Sequence, residues 1–320
     1  MTSDMDGAGL GLRLFCASVG CVLLSGCGSD DGGGSDSSSF PAPVADECIT
    51  DVSAGAHDYA CDGLKYTVSV ADRCLHKACG VILDVHGWFM TGADEERETG
   101  LAARGNDNGY LVIQPTANIG PARGPFPEAP SWNHDVDAPK LYTFLERAIA
   151  AWHVDQKRVH VTGFSQGGMM TWRFLCEHSD ELASVAPGGA NAGYGTVSAS
   201  GICRDGSMPS EIPILYMHGH TDALVPFAGA AQARDVIVSA FGMTGPENVA
   251  GDTGFTWSRW TAPGGNVFEF IEHDYASSYD FLKGHCFPGG LKGSLLTCLG
   301  EPGFIWGEEV MKFFIAHPKQ

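Results

Sequence analysis

Gly163-Phe164-Ser165-Gln166-Gly167 sets a serine between two glycines, after an apolar strand expected at 158–163 and before a helix expected at 167–178. A serine hydroxyl is a weak nucleophile until a base takes its proton. A sharp strand-to-helix turn exposes that hydroxyl, and the flanking small residues let neighbouring backbone come close. The following helix N-terminus favours the negative charge that develops there. The alternative is a glycine-rich helix start capped by Ser165. After a turn of this type the acid and then the base follow in chain order. Asp222 stands in His218-Gly219-His220-Thr221-Asp222-Ala223-Leu224-Val225-Pro226, just past an apolar strand at 212–218, with a turn Asp bonding its own backbone as the alternative. Among the later histidines, His285, flanked by Gly284 and by Cys286-Phe287-Pro288-Gly289-Gly290, is preferred. His273 is the second choice at a strand end, and His317 lies beyond the last apolar helix. Backbone N–H groups of Trp88, in His86-Gly87-Trp88-Phe89-Met90, and of Gln166 are the expected donors to a developing oxyanion. His86 itself reads as structural, fixing that loop through a hydrogen bond.

These residues need a scaffold that brings strand ends together. Expected strands at 65–70, 81–86, 110–114, 158–163, 182–186, 212–218, 255–261 and 267–272 alternate with helices at 94–106, 139–152, 167–178, 228–241 and 303–316. The second helix carries Leu141, Phe144, Leu145, Ala148, Ile149 and Trp152 at helical spacing, a core-facing stripe. Pro115 is expected to stop its strand and to open a Pro- and Gly-rich excursion over 115–135. Such alternation predicts an α/β fold with a mostly parallel sheet and its chemistry at the strands' carboxyl ends.

The His86-Gly87-Trp88 loop, Ser131-Trp132-Asn133, the run from Arg158 to Met170, the stretch from His218 to Pro226 and the Gly284 to Gly290 segment together resemble the polyhydroxybutyrate depolymerase and feruloyl/acetylxylan esterase group of α/β-hydrolases. The resemblance covers most of 60–316. It implies an α/β-hydrolase fold, Ser165 as nucleophile, Asp222 as acid, His285 as base, and no cofactor or metal. It also places Trp132 near the substrate cleft, with packing beneath the loop as the alternative. The chain departs from the group in an excursion over 273–284 carrying Tyr275, Tyr279 and Phe281, which forms either a substrate wall or an inert insertion.

With 44% hydrophobic and 18% charged residues, the 320-residue chain has the composition of a folded protein. A net charge of −19 disfavours nucleic acid and anionic membrane surfaces and suits a neutral ester substrate. An apolar run at 14–24 ending in Leu24-Ser25-Gly26-Cys27 resembles a bacterial lipoprotein signal, with lipidation expected at Cys27; ordinary secretory cleavage is the alternative. The expected organisation is a signal peptide over 1–26, a flexible Gly/Ser/Asp tether over 27–45 and one catalytic domain over 46–320. Eight cysteines remain beyond the leader, and in an exported chain they read as disulfides. Cys286 with Cys298 and Cys176 with Cys203 are the expected pairs, and the first four pair among themselves. The expected activity is that of an exported serine esterase on plant-wall feruloyl or acetyl esters or on hydroxyalkanoate polyester. A serine peptidase and a non-catalytic binding module are the alternatives.

Overall fold

The computed structural model describes residues 40–195, 201–291 and 294–320. The expected signal peptide, Cys27 and most of the tether lie outside them. The elements run β1 (Gly55–Cys61), β2 (Leu64–Val70), β3 (Gly80–Val85), α1 (Gly92–Thr99), α2 (Leu101–Asp107), β4 (Tyr110–Thr116), β5 (Ile119–Gly120), β6 (Ala129–Pro130), α3 (His134–Ala151), β7 (Val159–Phe164), α4 (Gln166–His178), β8 (Ser184–Gly188), β9 (Ile214–Gly219), α5 (Phe227–Ala240), β10 (Thr244–Gly251), β11 (Phe255–Thr261), β12 (Val267–His273) and α6 (Trp306–Ala316). Ten strands form one sheet in the order β1-β2-β4-β3-β7-β8-β9-β12-β11-β10. The central six pair in parallel, and two antiparallel strands extend each side.

The central strands are buried along almost their whole length and largely apolar because helices cover both faces. Alternation sorts their side chains. Val81, Leu83, Val85, Leu111 and Ile113 join the core under α3, α4 and α5, while Ile82, Tyr110 and Val112 join the core under α2 and α6. The catalytic candidates emerge from the ends of β3, β7 and β9, strands whose central register sets them at one edge of the sheet.

The expected helix at 94–106 is two helices. Gly100 takes φ 59° and its N–H returns to Glu96 O, which closes α1 before α2 begins. Pro115 does not end its strand, because β3 pairs with β4 only as far as Ile113, so the missing N–H disrupts no bond on that side. Helix α3 begins earlier than expected, where Asn133 O accepts the Val136 and Asp137 N–H groups and the Asp137 carboxylate accepts the Asn133 N–H. All eight described cysteines are paired, as Cys48–Cys61, Cys74–Cys79, Cys176–Cys203 and Cys286–Cys298.

Behind the end of β3 the fold buries carboxyl groups. Asp84 is inaccessible and accepts hydrogen bonds from Gln114 Nε2 and Thr99 Oγ1 at 2.9 and 3.1 Å. Burial, reinforced by the charge of Glu96, pushes its pKa up to about 7. Glu95 is equally buried and is raised well above its ordinary value, by desolvation first and then by Asp84 and Glu98. A carboxyl with a raised native pKa holds a proton that the unfolded chain releases, so stability falls as pH rises from the unfolded to the native value. Asp84→Asn is therefore expected to match the parent near pH 4 and to become progressively more stable than it up to pH 7, by an amount on the order of 4 kcal/mol. Urea unfolding across that pH range measures it, and a constant difference would show that Asp84 is not protonated.

Candidate active site

Ser165 follows β7 directly and caps α4 with φ 55° and ψ −117°, a conformation costly for a residue with a side chain. The two glycines of the motif make it possible. A Cβ on Gly163 would stand 2.4 Å from Val85 O, and one on Gly167 only 1.7 Å from the same atom. Backbone bonds hold the turn in place: Ser165 N–H donates to Gly188 O at 2.9 Å, and Met169 N–H returns to Ser165 O at 2.9 Å.

Asp222 sits in the turn after β9. Its Oδ1 accepts the N–H groups of Leu224 and Val225 at 2.9 and 2.7 Å, and its Oδ2 lies 2.6 Å from His285 Nδ1. The segment bearing His285 is strapped to this turn by Ala223 N–H to Leu282 O at 3.2 Å and Gly284 N–H to Thr221 O at 3.3 Å. Gly284 is needed there, since a Cβ would come 2.8 Å from Asp222 N. The imidazole packs on Phe164, the residue before Ser165, with centroids 4.8 Å apart. Asp222 occupies Nδ1, so Nε2 is the ring nitrogen that the carboxylate does not engage. Among the described residues Ser165 Oγ makes no hydrogen bond to the imidazole; in unliganded sites this bond is often long and tightens with substrate. His273, the second choice, is buried at the end of β12, where desolvation holds its pKa down to about 3.

The loop after β3 runs beside the serine, since a Cβ on Gly87 would lie 3.2 Å from Ser165 Cβ. In it Phe89 N–H donates to Pro130 O and Met90 N–H to Gly87 O. Among the described residues the Trp88 N–H makes no such bond, and Gln166 N–H, in the first turn of α4, has no intrahelical acceptor. Both remain for a ligand oxygen. His86 braces the loop from below: Nε2 accepts the Ala117 N–H at 3.0 Å, so Nδ1 carries the proton and donates to Gly87 O at 2.6 Å. Burial keeps the ring neutral, with its pKa lowered to about 4.

Trp132 differs from the expectation that set it in the substrate cleft. It is 3% exposed, its Nε1 donates to His86 O at 2.8 Å, and its N–H donates to Gln166 Oε1 at 3.1 Å. Trp132 therefore links the loop to the serine turn, its indole holding the loop carbonyl and its main-chain N–H holding the Gln166 side chain. His134, not singled out by sequence, adds to this with Nε2 2.9 Å from Gln166 O. It stands just after Ser131-Trp132-Asn133, the only sequence signal near it.

Ser165 and His285 open onto a cavity of about 450 Å³ lined by Trp88, Phe89, Phe126, Leu224, Phe281 and Leu282, among others, with Asp94 and Arg97 also on its wall. The 273–284 excursion thus supplies a wall through Phe281 and Leu282, whereas the Tyr275 hydroxyl turns away to accept the Gly303 N–H. Phe126 was hidden in the 115–135 excursion, which lacks any periodic pattern. Its ring meets Trp88 at 5.2 Å and Phe281 at 5.9 Å, joining two walls of the cavity. Trp132→Phe keeps the packing and removes the bond to His86 O. It is expected to lower kcat on a small ester about tenfold or more with KM nearly unchanged. Steady-state kinetics check this, and an unchanged kcat would separate the indole N–H from the loop's function.

Residues 135–252 match the family model described as phospholipase/carboxylesterase. Among curated proteins, the chain is 30% identical over 152 residues to Putative esterase NocK of Nocardia uniformis subsp. tsuyamanensis, covering 47% of this chain and 42% of that protein. It is 22% identical over 151 residues to the bifunctional acetylxylan esterase/xylanase XynS20E of Neocallimastix patriciarum, covering 46% of this chain and 20% of that one. The chain therefore spans less than half the length of these curated relatives. Among solved structures, the acetyl xylan esterase from Aspergillus awamori superposes with a TM-score of 0.60 at 14% identity, over 81% of this chain and 98% of that one. Sheet order, serine turn and structural likeness agree: the chain has the α/β-hydrolase fold.

Proposed function

We propose that the chain is an exported serine esterase that cleaves carboxylic esters carrying a bulky apolar or aromatic acyl group. The observation that carries this reading is the 2.6 Å His285–Asp222 pair reaching the same apolar cavity as the strained Ser165. In the proposed reaction His285 Nε2 takes the Ser165 proton as Oγ attacks the ester carbonyl. The N–H groups of Trp88 and Gln166 hold the oxyanion, and Asp222 fixes the imidazole and stabilises its charged form. The alcohol leaves with the proton from His285, and water then releases the acid by the same steps in reverse roles. The matched family and the esterase names of the relatives support ester over amide chemistry.

An acetyl group would leave most of the 450 Å³ cavity unfilled, whereas a feruloyl group fits its aromatic lining. Feruloyl esters of plant-wall polysaccharide are accordingly the preferred substrates, and hydroxyalkanoate oligomers are the next. Four disulfides and the Cys27 leader pattern support export with a lipid anchor.

Purified oxidised protein assayed on p-nitrophenyl acetate, methyl ferulate, acetylated xylan, amorphous polyhydroxybutyrate and a peptide anilide tests the reading. Methyl ferulate is expected to give the highest kcat/KM, and Ser165→Ala to lower it by more than about a thousandfold. Full turnover by Ser165→Ala would overturn the assignment, as would an inert wild-type serine towards a phosphonate label. In the same panel Phe281→Ala is expected to reduce kcat/KM for methyl ferulate about tenfold and to spare the acetate ester. Equal losses on both would remove Phe281 from acyl selection.

A further inference from the structure

We infer that His218 is a positioning residue that holds the Asp222 carboxylate in the orientation and charge state that His285 requires. The inference rests on the triad reading above. His218 is the penultimate residue of β9, and its side chain, like that of Asp222, is fully buried. Nε2 lies 2.8 Å from Val225 O and 3.4 Å from Asp222 Oδ2, while Nδ1 lies 3.2 Å from the Tyr216 hydroxyl. Val225 O can only accept, so Nε2 carries a proton and donates it there, with Asp222 Oδ2 beside the same nitrogen at 3.4 Å. Val225 is gripped from both ends, since its own N–H donates to Asp222 Oδ1. The strand end thereby clamps the turn that carries the acid.

An ionised carboxylate offers about four acceptor directions. Leu224 and Val225 fill those of Oδ1, and His285 takes one on Oδ2. Beside the remaining direction lies the polarised Nε2–H of His218, 3.4 Å from Oδ2, whose own hydrogen bond goes to Val225 O. The groups facing it are Tyr216 on β9, His220 and Asp222 in the turn, His285 in the strapped loop and His273 on β12. Phe227 of α5 adds an apolar ring with its centroid 6.1 Å away. Burial favours neutral His218 and the Asp222 charge opposes that, so a neutral ring with its proton on Nε2 still donates.

A polarised N–H held beside a carboxylate favours its ionised form even where its own hydrogen bond goes to another oxygen. Without the His218 donor, Asp222 becomes more basic and draws the His285 Nδ1 proton more strongly. The imidazolium form of His285 is then favoured, and its titration moves to higher pH. A histidine that merely packed the strand end would change the melting temperature and leave that titration in place.

The test is an NMR titration of the His285 ring in the purified oxidised protein, compared with His218→Phe and His218→Gln, together with kcat and KM across pH. His218→Phe is expected to move the His285 titration to higher pH and to lower kcat about tenfold with KM little changed. His218→Gln, which returns an N–H near the Nε2 position, is expected to restore both towards wild type. Should the Phe variant not fold, His218→Asn, whose shorter amide stops before Val225 O, carries the same expectation. An unchanged His285 titration in the variant lacking the donor overturns the inference. The titration requires no turnover, so a wild-type protein without esterase activity overturns the proposed function alone. Ser165-dependent activity with an unmoved titration overturns this inference alone.

Discussion

The carbonyl of Val85 occupies the space into which side chains at positions 163 and 167 would have to project, and the geometry of the site follows from that close approach. Val85 pairs with Gly163 in the sheet, so β3 and β7 end level with each other. The chain leaving β7 then has room for only a tight reversal, which sets Ser165 at positive φ and starts α4 against the end of β3. The loop leaving β3 is carried past the serine by the same contact, with Gly87 against its Cβ. The loop that carries Trp88 and the first turn of α4, which carries Gln166, are thus both brought beside the serine.

What surrounds this backbone contact is arranged to keep it neutral and immobile. His86 lies uncharged below the loop, Trp132 bonds the loop through its indole and Gln166 through its main-chain N–H, and Asp84 and Glu95 stand behind the strand with raised pKa values. A charged group in that layer would carry a large desolvation cost next to the place where an oxyanion has to be stabilised. On the other side, Asp222 is satisfied by local backbone N–H groups and by the His285 imidazole, so its charge is dispersed over short hydrogen bonds.

Much of this was legible in the sequence because it depends on local chemistry. A serine between glycines after an apolar strand has few conformations open to it, and buried parallel strands announce themselves as continuous apolar runs. Asp222 and His285 could be chosen because each follows a strand or lies between small residues. β1 and β10 could not be read: both are edge strands, largely exposed, and β10 carries Pro246 in a run with no alternation. Trp132 was legible as important but not in its orientation, since the direction of an indole N–H is fixed by a distant carbonyl. Phe126 meeting Phe281 was beyond reach for the same reason, as it joins two irregular segments whose approach only the completed sheet determines.

His285 differs from Ser165 in what keeps it in place. The serine is fixed by the sheet itself, but the proposed base stands on an irregular segment whose next residue, Cys286, is bonded to Cys298. Loop closure of this kind removes freedom mainly from the open chain. In a reducing environment that closure would be lost, and the proposed base would stand on an unclosed segment. Maturation of the site would then be tied to arrival in an oxidising compartment, so that folding alone would not arm the protein inside the cell that makes it.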